Sequence, residues 1–153
     1  MMIYRLLTQS DAGAAANLHR LAGALIPGYD TTLHTEEEYH CLYRDHVMLD
    51  GPVWGAVEGT MLRGHIALLS GWIDHLYVDP EHNGKGIGSA LVSIAQREQS
   101  SLRLYTFQAN ARARSFYERH GFIIEELTNG DRNEEKMPDV TYYWERVAEG
   151  QPQ

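Results

Sequence analysis

The sequence predicts an α/β chain of the α+β kind, a mixed and mainly antiparallel sheet with helices packed on it. Three observations carry that expectation. Three strand-like runs follow one another between Val53 and Val78, separated only by Glu58-Gly59 and Ser70-Gly71, so a meander of antiparallel strands is expected. Apolar residues recur at helical spacing both before and after that meander. Short apolar strands then alternate with helices, and two strands joined by a polar loop close the pattern.

The elements follow in order. Ile3 to Leu7 is a short apolar run that reads as a strand. In the next segment Thr8 or Ser10 is placed to cap, and Ala15, Leu18, Leu21, Ala22 and Leu25 form an apolar helical stripe that Pro27-Gly28 stops. Thr35 with Glu38 makes a capping box. It opens a second helix with Tyr39, Leu42, Tyr43, His46 and Leu49 on one side. After the meander come a glycine loop and a helix on which Ile87, Leu91, Ile94 and Ala95 share a face. Leu102 to Phe107 is a strand. Asn110 caps a helix through Ala113, Phe116, Tyr117 and His120, and Gly121 stands where a C′ glycine belongs. Phe122 to Leu127 and Val140 to Val147 are the last strands. We expect a single domain over 1–148 and a frayed tail over 149–153.

Composition narrows the function classes. A chain of 153 residues with 43% hydrophobic and 22% charged residues supports one ordinary globular core. A formal charge of −8 argues against nucleic acid or an anionic membrane as partner. The single cysteine, Cys41, excludes an intramolecular disulfide framework and suggests a reducing compartment. The beginning of the chain lacks signal-peptide architecture, and no apolar run reaches the ~20 residues of a membrane span, so a cytoplasmic protein is expected. No HExxH motif and no Cys/His pairs at zinc spacing occur, so no metal is expected. Cys41 beside His40 reads as a small buried hydrophobe, because adjacent helical residues diverge around the axis.

The glycine loop carries the strongest chemical signal. Asn83-Gly84-Lys85-Gly86-Ile87-Gly88 follows a strand and opens a helix. Unpaired amides at a helix start attract anions, and glycines let a bulky anion approach the backbone. The Walker A spacing is absent. The Rossmann fingerprint fails too, since the glycines run GxGxG after an antiparallel strand.

Two motifs together resemble the GCN5-related N-acetyltransferase family. The first is the strand end Leu76-Tyr77-Val78-Asp79-Pro80 with the loop that follows. The second is Asn110, Ala113, Phe116, Tyr117, Glu118, Gly121 and Phe122 at the family's spacing. Asn83 departs from the Gln or Arg usual at the first loop position. The resemblance implies the acyl-CoA N-acyltransferase fold and acetyl-CoA as co-substrate. It implies that Asn83, Gly84, Lys85, Gly86, Ile87, Gly88 and Ser89 hold the pyrophosphate. Leu76, Tyr77 and Val78 would pair with the pantetheine arm as an added strand, with Asn110 beside it. The Val78 N–H would hold the oxyanion, and Tyr117 would protonate the leaving sulfur. The acceptor implied is a primary amine of a small molecule or peptide, and similar proteins are commonly homodimers. A non-catalytic acyl-CoA-binding module and a different acyl donor stand as alternatives.

For the base, simple alternation puts Trp72, Asp74, Leu76 and Val78 on one face and Ile73, His75 and Tyr77 on the other. The resemblance implies a base four or six residues before Val78 on the same face, and that selects Asp74, since Trp72 cannot accept a proton; Asp74 would act directly or through a water, or else bind the amine as a carboxylate. It leaves His75 as a satisfied structural histidine. Acceptor contacts are expected from Ile26 to His34 and from the loop Asn133 to Asp139, with Tyr29, Trp54, Trp72 and Tyr142 lining a pocket or filling the core.

Overall fold

In the computed structural model, which describes residues 1–147, the chain runs β1 (Met2–Leu6), α1 (Ala12–Gly23), α2 (Glu36–Leu42), α3 (Met48–Asp50), β2 (Val53–Glu58), β3 (Met61–Leu69), β4 (Trp72–Val78), α4 (Ile87–Glu98), β5 (Ser101–Phe107), α5 (Ala111–Arg119), β6 (Ile123–Leu127) and β7 (Asp139–Glu145). The expected tail over 149–153 lies outside the described residues. Seven strands form one sheet in the order β1-β2-β3-β4-β5-β7-β6. Every neighbouring pair is antiparallel except β4 and β5. The meander closes on two-residue turns. Ser70 and Gly71 both adopt positive φ, 50° and 85°, the backbone that a tight hairpin of this twist requires.

Each face of the sheet has its own core. On one, α4 and α5 cover Ile66, Leu68, Ile73, Leu102, Leu104, Val140 and Tyr142. On the other, α1, α2 and the turn that follows α2 pack Ala15, Ala16, Tyr39, Tyr43 and Val47 against Val53 and Ala67.

Two helical stripes differ from expectation. On α1 the inward residues are Ala12, Ala15, Ala16, Leu18 and His19, while Leu21 and Leu25 are exposed. A histidine takes the inward place because tyrosines from α2 and β4 receive its ring. After α2 the chain makes a π-helical turn, Tyr43–Val47. The wider turn puts Tyr39, Tyr43 and Val47 in line and leaves His46 and Leu49 outside.

The larger correction lies in β4. The β3–β4 register runs Ala67↔His75 and then Leu68↔Ile73, so Asp74 is an extra residue in a β-bulge. The bulge reverses the alternation below it. Ile73, not Trp72, joins Leu76 and Val78 in the α4-side core. Trp72 instead lies against the exposed Tyr105 ring, 4.8 Å between centroids. Asp74 and His75 no longer point to opposite faces: their side chains approach to 3.4 Å.

Candidate active site

Strands β4 and β5 pair at Trp72↔Arg103 alone, among the described residues, and part beyond it. The gap opens into a cleft of about 1650 Å³ that reaches from the α1–α2 side to the start of α4. The backbone of β4 is turned toward this gap. The Asp79 N–H donates to the Arg63 carbonyl at 2.8 Å, so Gly64↔Val78 is a pair without mutual hydrogen bonds. Val78, and Leu76 two residues earlier, therefore direct their N–H and C=O away from β3 and toward the gap. Tyr77 alternates with them and faces α1, where its ring stacks on His19 at 4.2 Å.

At the far end of the cleft the loop opens α4 as an anion cradle. Gly86 occupies the N-cap in left-handed conformation, φ 83°, and Gly84 has φ 79°. A Cβ at either position would meet nothing within 4 Å, so the space above the loop is open. With glycine at the cap, no side chain among the described residues satisfies the first-turn amides of Ile87, Gly88 and Ser89. Gly88 has a steric reason as well: a Cβ there would sit 3.2 Å from Phe116 Cζ. Asn83 lines the cleft, Lys85 is exposed, and Ser89 Oγ lies 3.0 Å from His120 Nε2.

Asn110 serves the local geometry of α5: its Oδ1 accepts from the Ala113 N–H at 3.2 Å. About two turns after Asn110, Tyr117 reaches the cleft, with its ring edge-on to Phe116 and Phe122. Its hydroxyl makes no hydrogen bond among the described residues, and burial pushes its phenol above the usual tyrosine value. It stays protonated at neutral pH.

The other end of the cleft is built from the segment between α1 and α2, from α2, from β4 and from the β6–β7 loop. Tyr29, Tyr39, His34, Asp74, Glu134 and Glu135 all line it. Tyr29 and Tyr39 share a hydrogen bond at 3.1 Å. His34 bridges two segments, with Nδ1 3.2 Å from Glu38 and Nε2 3.1 Å from Glu134. The hydrogen bond to Glu38 is the main reason its pKa is raised. The bridge is therefore fully formed below the ordinary histidine value and is lost as pH rises through the raised one. An NMR titration of the His34 ring is expected to give a midpoint above the ordinary value; a midpoint at or below it would disprove the bridge. Of the other aromatics, Trp72 lines the cleft, Trp54 packs against the core, and Tyr142 is fully buried, donating to Glu118 at 2.5 Å.

Spacing alone did not find the histidine–tyrosine cluster beneath this end of the cleft. His19 Nδ1 lies 2.9 Å from the Tyr43 hydroxyl, which lies 2.8 Å from His65 Nε2. Burial lowers the pKa of both histidines, that of His65 to about 3. His75 packs beside them, 5.1 Å from His19 between ring centroids. It is not the satisfied structural histidine that alternation suggested, since neither ring nitrogen makes a hydrogen bond among the described residues beyond the close approach of Asp74. Cys41 is only half-buried and lines the cleft, with its thiol 3.6 Å from a Glu37 oxygen. Among the described residues no cluster of His, Cys, Asp or Glu is placed to hold a metal ion, and no helix is long and apolar enough to cross a membrane.

A family model described as an acetyltransferase (GNAT) domain matches residues 36–124, more than half of the chain. The chain belongs to the GNAT acetyltransferase family. Among curated relatives, the uncharacterized N-acetyltransferase YafP of Escherichia coli is 37% identical over 70 residues, 46% of this chain and 45% of that protein. The chain thus aligns with less than half the length of YafP. The peptidyl-lysine N-acetyltransferase YiaC of Escherichia coli is 29% identical over 104 residues, 67% of this chain and 70% of that protein. YncA of Salmonella typhimurium, solved with its cofactor acetyl-CoA, superposes with a TM-score of 0.72 at 18% identity, covering 100% of this chain and 98% of that one. At that identity the likeness shows the GNAT fold alone.

Proposed function

We propose that the protein is an N-acetyltransferase that carries the acetyl group of acetyl-CoA to a primary amine of a small molecule or peptide within a ternary complex. The observation that carries this reading is the parting of β4 from β5. It leaves the Leu76 and Val78 backbone groups free in the cleft that Tyr117 also lines. Relatives named as N-acetyltransferases and a fold neighbour that holds acetyl-CoA support it.

The residues present fit acetyl-CoA. The uncapped amides of Ile87, Gly88 and Ser89 and the open space over Gly84 and Gly86 suit a pyrophosphate, with Asn83 and Lys85 beside them. The Leu76 and Val78 backbone suits an amide-bearing arm laid along β4, with Tyr77 between them and Asn110 across the gap. When bound, acetyl-CoA supplies an activated thioester. The Val78 N–H would hold the negative charge that develops on its carbonyl oxygen. Tyr117, protonated at neutral pH, gives its proton to the departing sulfur. Asp74 supplies the carboxylate on the base side of the site.

The acceptor side is acidic, through Asp74, Glu134 and Glu135, which favours an acceptor that arrives as a cation. Thiol release from acetyl-CoA should be measured across amino acids, polyamines and lysine-containing peptides. Amine-dependent release and an N-acetylated product are expected. Acetyl-CoA binding with no release for any amine would overturn the reading in favour of a binding module. Faster release from another acyl-CoA would overturn the choice of acetyl.

A further inference from the structure

Resting on that acetyl-transfer reading, we infer that the group receiving the amine proton is the imidazole of His75, positioned by Asp74 across the β4 bulge. The bulge is what makes the pair. In a regular strand neighbouring side chains diverge, whereas here His75 Nε2 stands 3.4 Å from Asp74 Oδ2. A carboxylate at Nε2 favours the tautomer with the proton on that nitrogen and leaves Nδ1 as the free lone pair.

The neighbours single out His75. His19 and His65 also carry neutral imidazoles, but Tyr43 engages His19 Nδ1 and His65 Nε2. His65 is fully buried and does not line the cleft, whereas His75 does. The titratable groups that face His75 are His19 from α1, Tyr43 from the π-helical turn, His65 from β3, and Asp74 and Tyr77 from its own strand. Burial among the aromatic rings lowers its pKa, and Asp74 acts in the opposite direction. The ring is therefore neutral at pH 7 and free to accept, and the carboxylate stabilises the imidazolium that forms.

The proton count closes. An ammonium acceptor gives one proton to His75 Nδ1, and the free amine then forms the C–N bond as the C–S bond breaks. The second proton leaving nitrogen balances the one Tyr117 gives to sulfur. His75 returns its proton to cleft water, so one proton is released per turnover.

The test has two arms. In kinetics, His75→Gln should lower kcat by about 10²–10⁴-fold and abolish the acidic limb of the kcat/KM profile. Asp74→Asn should keep a limb but move it to lower pH. In the free protein, an NMR titration of the His75 ring should show its midpoint lower in D74N than in the wild type. Wild-type turnover and limb in a folded H75Q would overturn the proposal, as would loss of the limb in D74N with His75 titrating unchanged. Should H75Q fail to fold, D74N alone decides through both arms. Failure of every amine to release thiol would remove the acetyl-transfer reading and the base with it. The Asp74–His75 pairing would then be judged by the titration alone.

Discussion

Replacing Tyr117 by phenylalanine is expected to lower kcat by about 10²–10⁴-fold, the usual worth of one general acid, while acetyl-CoA affinity stays within about twofold. Three observations lead there. Tyr117 lines the cleft that holds the free β4 backbone. Its hydroxyl has no hydrogen-bond partner among the described residues, so deleting it orphans no buried group. Burial raises its pKa, so the proton is present to be given at neutral pH. The ring itself packs on Phe116 and Phe122, and a phenylalanine keeps those contacts. The variant should therefore melt like the wild type. Steady-state kinetics with a calorimetric binding measurement separates the two effects; an unchanged kcat would remove Tyr117 as the acid.

Tyr43→Phe is expected to act on stability, by about 2–6 kcal/mol, since each buried polar group left unpaired costs about 1–3 kcal/mol. The Tyr43 hydroxyl lies between His19 Nδ1 and His65 Nε2, and all three side chains are buried. Phenylalanine keeps the ring and strands both nitrogens. His65 is hit hardest, because its Nδ1 is already buried without a partner. Tyr39→Phe is the control: among the described residues its hydroxyl meets only Tyr29, in a part-buried place, so its cost should be about 0.5–1.5 kcal/mol. Urea denaturation reads both. Equal midpoints for Y43F and the wild type would show that the chain of hydrogen bonds contributes nothing to folding.

The histidine–tyrosine cluster also marks where reading the sequence stops. The meander, the helix after the glycine loop and the Asn110 cap are local events, fixed by turn residues, caps and a single repeat period, so they can be read residue by residue. The cluster is drawn from α1, the π-helical turn, β3 and β4. No spacing along the chain brings His19, Tyr43, His65 and His75 together. His19 has its place only because α2, the π-helical turn and β4 bring Tyr39, Tyr43 and Tyr77 around its ring.

Strand β4 shows the same division within seven residues. Its bounds and the glycine mouth after it were legible, because alternation, turns and a helix start are written in neighbouring residues. The faces of Trp72, Ile73 and Asp74 were not, because the bulge exists only in the pairing of β4 with β3. One inserted residue there reverses the side-chain direction for the rest of the strand and sets Asp74 beside His75. The sequence by itself determined the fold family, the loop that invites an anion and the tyrosine that follows. Only the tertiary structure decided which groups meet in the cleft, because register, strand parting and cross-element hydrogen bonds form between segments that do not adjoin in the chain.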